Sequence, residues 1–230
     1  MRKPIIGIVS KHYLKNKKRP DTYIRDEVKQ AILDNGAIPI GILPTDKEIK
    51  DVSDNWVEDL SQEEYENLVA QINLCDGIIF QGGMASDNYE CIAAKYCYEQ
   101  NIPTLGICCG QNIIARAIGG TTYNVINPDK HMSPSKDYVH SIKIDKESKF
   151  YSIINKDQIE VNSRHKKTID QCPNLDKVAF CEDGYPDVIE SKDKTFYIGV
   201  RFHPESLYTK DENMNNIFKE FLNACKQEIK

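Results

Sequence analysis

The stretch Leu105-Gly106-Ile107-Cys108-Cys109-Gly110-Gln111 is the one on which the fold turns. An apolar extended run, Ile102 to Ile107, leads into it, and a helix-forming run, Asn112 to Ile118, leads out. Between them Gly106 to Gly110 spells Gly-x-Cys-x-Gly, with Cys108 at the centre. This is the thiol form of the nucleophile elbow, a sharp strand-to-helix turn that lifts one side chain above the end of a sheet. Flanking glycines serve such a turn because a Cβ would collide with the returning backbone. A helix starting here points its positive end at the sulfur and favours thiolate over thiol. Taken alone, the stretch also fits a buried structural cysteine ahead of a helix.

Working outward, short apolar strands alternate with helices. Pro4 to Val9 is a continuous apolar run, as expected of a strand covered on both faces. Tyr23 to Asn35 reads as a helix with Gly36 as its C-terminal stop, and Ala37 to Leu43 as the next strand. Asp46 to Asp59 is polar and reads as a surface excursion. Ser61-Gln62-Glu63-Glu64 is a capping box opening a helix. Ile78-Ile79-Phe80 forms a strand that ends in Gln81-Gly82-Gly83, and a helix from about Asn88 to Glu99 follows. This alternation predicts a parallel sheet with helices on both faces, and ligands in such sheets bind beyond the carboxyl ends of the strands. Gly82, Gly83 and Cys108 all fall at such ends.

After Gly119-Gly120 the pattern changes to alternating segments. His140 to Ile144, Gln158 to Asn162, a hairpin of Val178 to Cys181 with Asp187 to Glu190, and Phe196 to Phe202 imply a smaller antiparallel portion of the same sheet. A C-terminal helix from Asp211 carries an apolar stripe that includes Met214, Phe218 and Leu222. No linker or internal repeat interrupts the chain, so residues 1–230 read as a single domain.

Composition narrows the function. The chain has 230 residues, 28% of them charged, with a net charge of -5. Without a basic surface block, nucleic acid is not expected as a partner. The short cluster Lys15, Lys17, Lys18 and Arg19 reads as a solvated loop. The first apolar run is too short to be a signal peptide or a membrane span, so a cytoplasmic, non-membrane protein is expected. The eight cysteines lie mostly in apolar runs and read as reduced. No Cys-x-x-Cys or His-x-x-x-His spacing suggests zinc, and no metal or organic cofactor is expected.

A cysteine nucleophile needs a base and an orienting group. Gly199-Val200-Arg201-Phe202-His203-Pro204-Glu205 offers both at another strand end. Pro204 restrains His203 to extended backbone, and Glu205 can accept a hydrogen bond from one imidazole nitrogen. The other nitrogen is then free for Cys108. The N–H of Cys109, with one from Gly82 or Gly83, would supply an oxyanion hole. Tyr89 and Glu90 are further residues near that loop, whereas His140, Asp187 and Glu190 read as structural and His12 and His131 carry no assignment.

Together these segments resemble the class I glutamine amidotransferases, and within them the γ-glutamyl hydrolase branch, peptidase family C26, typified by γ-glutamyl-γ-aminobutyrate hydrolase. Asp76 to Gly83 resembles the oxyanion segment, Pro103 to Cys108 the nucleophile strand, and Gly199 to Glu205 a Gly-Val-Gln-Trp-His-Pro-Glu signature. Val161-Asn162-Ser163-Arg164-His165 resembles a Val-Asn-Ser-x-His segment of the γ-glutamyl hydrolases. The resemblance implies a single-domain α/β fold of the glutamine amidotransferase-like (flavodoxin-like) type, with a mostly parallel central sheet. It implies a Cys108–His203–Glu205 triad cleaving a small γ-glutamyl amide through a γ-glutamyl thioester. Gln111, Asn112, Ser163 and His165 are the expected substrate-binding residues. A homodimer stays open, as does a second reading in which the chain is a glutaminase passing ammonia to a separate synthetase. A non-catalytic binding module is the third. The chain departs from the family pattern at Cys109, where arginine is usual, at Gln81, where proline is usual, and at Lys166-Lys167, which read as a solvated turn in place of a histidine-glutamine pair. The glutamine common two places past the last elbow glycine is here Asn112, with Gln111 one earlier.

Overall fold

The computed structural model describes residues 2–13, 21–46, 54–83 and 87–227. The basic cluster Lys15 to Arg19 lies outside them. The first half of the chain runs β1 (Ile5–Val9), β2 (Lys11–Tyr13), β3 (Asp21–Tyr23), α1 (Asp26–Asp34), β4 (Ile38–Ile42), α2 (Gln62–Ile72), β5 (Gly77–Phe80), α3 (Asn88–Glu99), β6 (Thr104–Ile107) and α4 (Cys109–Arg116). The second half runs β7 (Thr122–Asn124), β8 (His140–Ile144), α5 (Lys149–Ile154), β9 (Gln158–Val161), β10 (Lys167–Ile169), β11 (Asp176–Cys181), β12 (Pro186–Glu190), β13 (Tyr197–Val200) and α6 (Glu212–Gln227).

One nine-stranded sheet has the order β4-β1-β5-β6-β13-β12-β11-β8-β9. Its first five strands are parallel, and the remaining four continue it antiparallel. Helices cover both faces, as the continuous apolar strands require. Ile79 packs into the core shared with α1, α5 and α6. Its neighbours Ile78 and Phe80 pack into the core shared with α2, α3 and α4.

Several boundaries differ from the sequence reading, each for a local reason. The helix after Cys108 begins at Cys109, three residues earlier than the apolar run suggests, because the elbow leads straight into the first helical turn. Tyr23 belongs to β3, which pairs with β2, so α1 starts at Asp26. The stretch from Asp46 to Asp59 is not a simple excursion where it is described. Arg116 donates to Asp54 (2.8 Å) and the Trp56 indole N–H donates to the Arg116 carbonyl (2.9 Å), tying the segment to the end of α4. The Ser61 capping box is present with both of its hydrogen bonds. A second one, Asp87 with Glu90, opens α3.

Candidate active site

Register alone assembles the site. Phe80 of β5 pairs with Gly106 of β6, and Ile107 pairs with Val200 of β13. Continuing those registers past the strand ends sets Gly82 on one side of Cys108 and Arg201 to His203 on the other. The structure shows the outcome. A Cβ added to Gly82 would lie 2.9 Å from the His203 ring and 3.5 Å from the Cys108 Cβ.

Cys108 adopts φ 52°, ψ −104°, a conformation that a non-glycine residue occupies only under constraint, at a cost of about 1–3 kcal/mol. Its backbone is held on all sides. The Cys108 N–H donates to Val200 (2.8 Å), and its carbonyl accepts from the Gln111 N–H (3.1 Å) and from Arg201 (3.2 Å). Directly after it α4 begins, with Cys108 as its N-cap residue. Gly106 and Gly110 leave no room for a side chain. A Cβ on Gly106 would stand 2.7 Å from the Gly110 carbonyl oxygen, and one on Gly110 would overlap the Phe80 carbonyl.

His203 has φ −114° and ψ 81°, outside the helical region that the following proline disfavours. The 3-10 turn Pro204–Ser206 brings Glu205 back beneath the ring, where its carboxylate meets His203 Nδ1 at 2.6 Å. Nε2 is left on the side of Cys108, and the imidazole and the thiol each favour the charged form of the other. All three side chains are nearly excluded from solvent. Burial opposes charge on Cys108 and on His203, yet the interactions prevail. For His203, Glu205 and Cys108 outweigh desolvation and raise its pKa to about 10. For Cys108, His203 first and Arg201 next outweigh desolvation and hold the thiol below its ordinary value. A thiolate–imidazolium pair braced by a carboxylate can attack a carbonyl carbon and then protonate the departing amine.

The surrounding side chains mostly build rather than line the site. Arg201, 1% exposed, donates to the Cys108 carbonyl and to Asn112 Oδ1 (2.7 Å). Asn162 makes reciprocal hydrogen bonds with the His203 backbone, donating at 2.8 Å and accepting at 2.7 Å. In the Val161–His165 segment it is therefore Asn162 that grips the histidine, although its neighbours are the residues expected from resemblance to matter. Gln81 ties three segments together, accepting from the Arg25 N–H and donating to the Val9 and Tyr23 carbonyls. Lys11 packs against Gly83, lies 2.7 Å from Glu90 Oε1, and reaches within 3.7 Å of the Cys109 sulfur. A cation thus comes to the short Cys109 side chain from β2. Lys11 is not distinguishable in sequence from the other lysines.

The four expected substrate-binding side chains make the following contacts within the protein. Gln111 is fully buried, with its amide donating to the Asp187 and Gly199 carbonyls at 3.1 Å each. Asn112 is engaged by Arg201. Ser163 is fully buried and donates to the His131 carbonyl at 2.7 Å. Each of the three is thus tied to the protein by at least one hydrogen bond, while Gln111 Oε1 is left without a partner. His165 stacks obliquely on His131 with ring centroids 5.0 Å apart, and burial drives its pKa down to about 2, so it is a neutral imidazole. Lys166 and Lys167 are exposed, and Lys167 sits in β10 against β7. Tyr89 is fully buried, its hydroxyl donating to the Ser10 carbonyl at 2.5 Å.

The Peptidase C26 family model matches residues 84–205, more than half of the chain. The chain belongs to the class I glutamine amidotransferase-like peptidase C26 family. The matched range holds Cys108, His203 and Glu205. Among relatives of this C26 protein is a Schizosaccharomyces pombe protein provisionally named a glutamine amidotransferase, 30% identical over 150 residues, covering 63% of this chain and 59% of its own length. The CTP synthase of Bacillus cereus (strain AH820) is 27% identical over 209 residues, covering 76% of this chain and 38% of the relative. The chain thus spans less than two thirds of the length of these relatives. A Thermoplasma acidophilum protein provisionally described as a GMP synthase component superimposes with a TM-score of 0.67 at 16% identity, covering 99% of this chain and 96% of that one. The Trypanosoma brucei CTPS glutaminase domain with bound acivicin gives a TM-score of 0.66 at 16% identity, covering 99% and 95%. These two likenesses establish the fold, an α/β sheet of the glutamine amidotransferase type. Among the described residues no helix is long and apolar enough to cross a membrane.

Proposed function

We propose that this C26 hydrolase cleaves the γ-glutamyl amide bond of a small γ-glutamyl compound, releasing glutamate and an amine, and that the chain works as one hydrolase domain. The observation that carries the reading is the buried Cys108–His203–Glu205 alignment at the neighbouring ends of β6 and β13, with the His203–Glu205 bond at 2.6 Å. In the proposed reaction the Cys108 thiolate attacks the γ-carbonyl carbon. The carbonyl π electrons move to oxygen, and the oxyanion rests on the N–H of Cys109 and one from Gly82 or Gly83. His203 passes its proton to the departing amine as the C–N bond breaks, leaving a γ-glutamyl thioester. The imidazole then takes a proton from water, whose hydroxide displaces the sulfur and frees glutamate. Glu205 holds the ring and its tautomer throughout. Each oxyanion donor is worth roughly a hundred- to a thousandfold in rate.

A second reading is favoured by the CTP synthase relatives, in which a glutaminase of this chemistry hands ammonia to a synthetase partner. One experiment separates them. Glutamine and a panel of γ-glutamyl amides are incubated with the protein, products are quantified, and intact mass is followed for an acyl adduct. The proposal expects turnover of a γ-glutamyl amide without any partner, a γ-glutamyl adduct on Cys108, and no turnover by Cys108→Ala. Turnover of glutamine alone, stimulated by an added synthetase, selects the second reading. Absence of hydrolysis of every compound, with and without cell extract, refutes both.

A further inference from the structure

The antiparallel flank of the sheet holds a second cluster of reactive side chains that the hydrolytic reaction does not use. His140 opens β8, Cys181 closes β11 and Asp187 lies in β12. His131 follows the 3-10 turn Pro128–Lys130, and its carbonyl is pinned by the Ser163 hydroxyl and by the His165 N–H. The two imidazoles and the thiol each bring one donor atom to within 4.8 Å of the others. The His131 and His140 rings stand 5.1 Å apart, centroid to centroid.

The polar atoms of this cluster are left over by the protein's own hydrogen bonding. His131 Nδ1, His140 Nδ1 and Asp187 Oδ1 are buried without a hydrogen-bond partner. His131 is 2% exposed and Asp187 1%. Proteins seldom leave so many buried polar atoms unsatisfied in one place, and such a group calls for a missing ligand. The outer nitrogens already face carboxylates. His131 Nε2 lies 3.4 Å from Asp183, and His140 Nε2 lies 3.3 Å from Asp187. That is how carboxylates orient imidazoles that bind a metal through the other nitrogen.

We infer that His131, His140 and Cys181 form a binding site for a soft divalent cation, with zinc the best match to two imidazoles and a thiolate. Nδ1 of each histidine and Sγ of Cys181 would be the donors, and water would take the fourth position. Zinc holds such donors at about 2.0–2.3 Å, hence roughly 3.5 Å from one another. With the donors within 4.8 Å of one another, holding the ion requires them to close in by on the order of 1 Å. Zinc rather than magnesium or calcium follows from the donors, since the hard cations take oxygen. The site backs onto the elbow through one residue. The Asp187 carbonyl accepts from the Arg201 N–H at 2.7 Å and from Gln111 at 3.1 Å. Local spacing in the sequence cannot reveal it, because the three donors come from three separated segments that only the sheet brings together.

Cobalt titration tests the site. Protein stripped with a chelator and kept reduced is titrated with Co²⁺ and followed from the near ultraviolet through the visible. The expected result is a thiolate-to-cobalt charge-transfer band with intense tetrahedral d–d bands, saturating at one equivalent and abolished by added Zn²⁺. Cys181→Ser should lose the charge-transfer band, and His140→Gln should bind at least roughly a hundredfold more weakly. Cys108→Ser should keep the full spectrum. The inference is overturned if wild type shows no charge-transfer band, if the band survives Cys181→Ser, or if it vanishes in Cys108→Ser. Circular dichroism checks that each variant folds. Should Cys181→Ser fail, His140→Gln decides, since that side chain reaches the surface, and unchanged cobalt affinity there overturns the site.

Discussion

Gly110→Ala is the sharpest probe of the elbow. The added methyl would overlap the Phe80 carbonyl oxygen and stand 2.7 Å from the Phe80 carbonyl carbon and 3.0 Å from its Cβ. Ordinary carbon contacts are about 3.5 Å or more. Helix α4 must therefore retreat from β5 by more than about 1 Å, since the Phe80 carbonyl oxygen would stand only 1.9 Å away, against backbone rather than against a flexible side chain. Overpacking of this kind costs roughly 1–3 kcal/mol, and a backbone obstacle puts it at the upper end. The same retreat moves the Cys109 N–H and the Cys108 sulfur relative to His203, and a misplacement near 1 Å costs on the order of a hundredfold in rate. Urea unfolding should show the lost stability. Hydrolysis of a γ-glutamyl amide, with iodoacetamide labelling of Cys108 as a substrate-free measure, should show the lost reactivity. Wild-type stability together with wild-type labelling in Gly110→Ala would refute the elbow geometry.

Other outcomes follow from the same contacts. With the thiol pKa lowered and the imidazole raised to about 10, the ion pair spans neutral pH. Labelling of Cys108 should be nearly flat there and should not climb through the usual thiol range, and kcat/KM should fall as pH rises through about 10 and His203 loses its proton. A labelling rate that tracks an ordinary cysteine would remove the ion pair from the reaction. Asn162→Ala deletes two buried hydrogen bonds to the His203 backbone, so about 1–3 kcal/mol of stability should be lost and kcat should drop more than KM rises, read by steady-state kinetics beside thermal melts. Arg201→Met unties the Cys108 carbonyl and Asn112, and should slow Cys108 labelling while lowering the urea midpoint. An unchanged labelling rate would mean that the arginine does not hold the elbow.

Much of the parallel half is legible from local pattern. Continuous apolar runs at Ile5 to Val9 and Ile78 to Phe80 can only be strands covered on both faces, and the capping box at Ser61 marks a helix start by its hydrogen-bonding groups alone. The Gly-x-Cys-x-Gly spacing around Cys108 and the His203-Pro204-Glu205 triplet are legible for the same reason, since each is a short-range constraint on backbone. What escapes is long-range. Asn162 reaches His203 across 41 positions of sequence, and Arg201 reaches Asn112 across 89. Gln111 follows the elbow in sequence, and only the packing of α4 on the sheet shows its amide nitrogen donating to the Asp187 and Gly199 carbonyls.

The division has a physical basis. Periodicity, turn chemistry and glycine spacing act over a few residues, so the elements, their alternation and the candidate nucleophile can be read off the chain. Strand order and register act over a hundred residues or more. They set Gly82, Cys108 and His203 side by side, brought Lys11 to Cys109, and gathered His131, His140 and Cys181 on the antiparallel flank. The energies that hold those groups together, charge on charge and donor on acceptor in a buried setting, exist only once the sheet has closed around them.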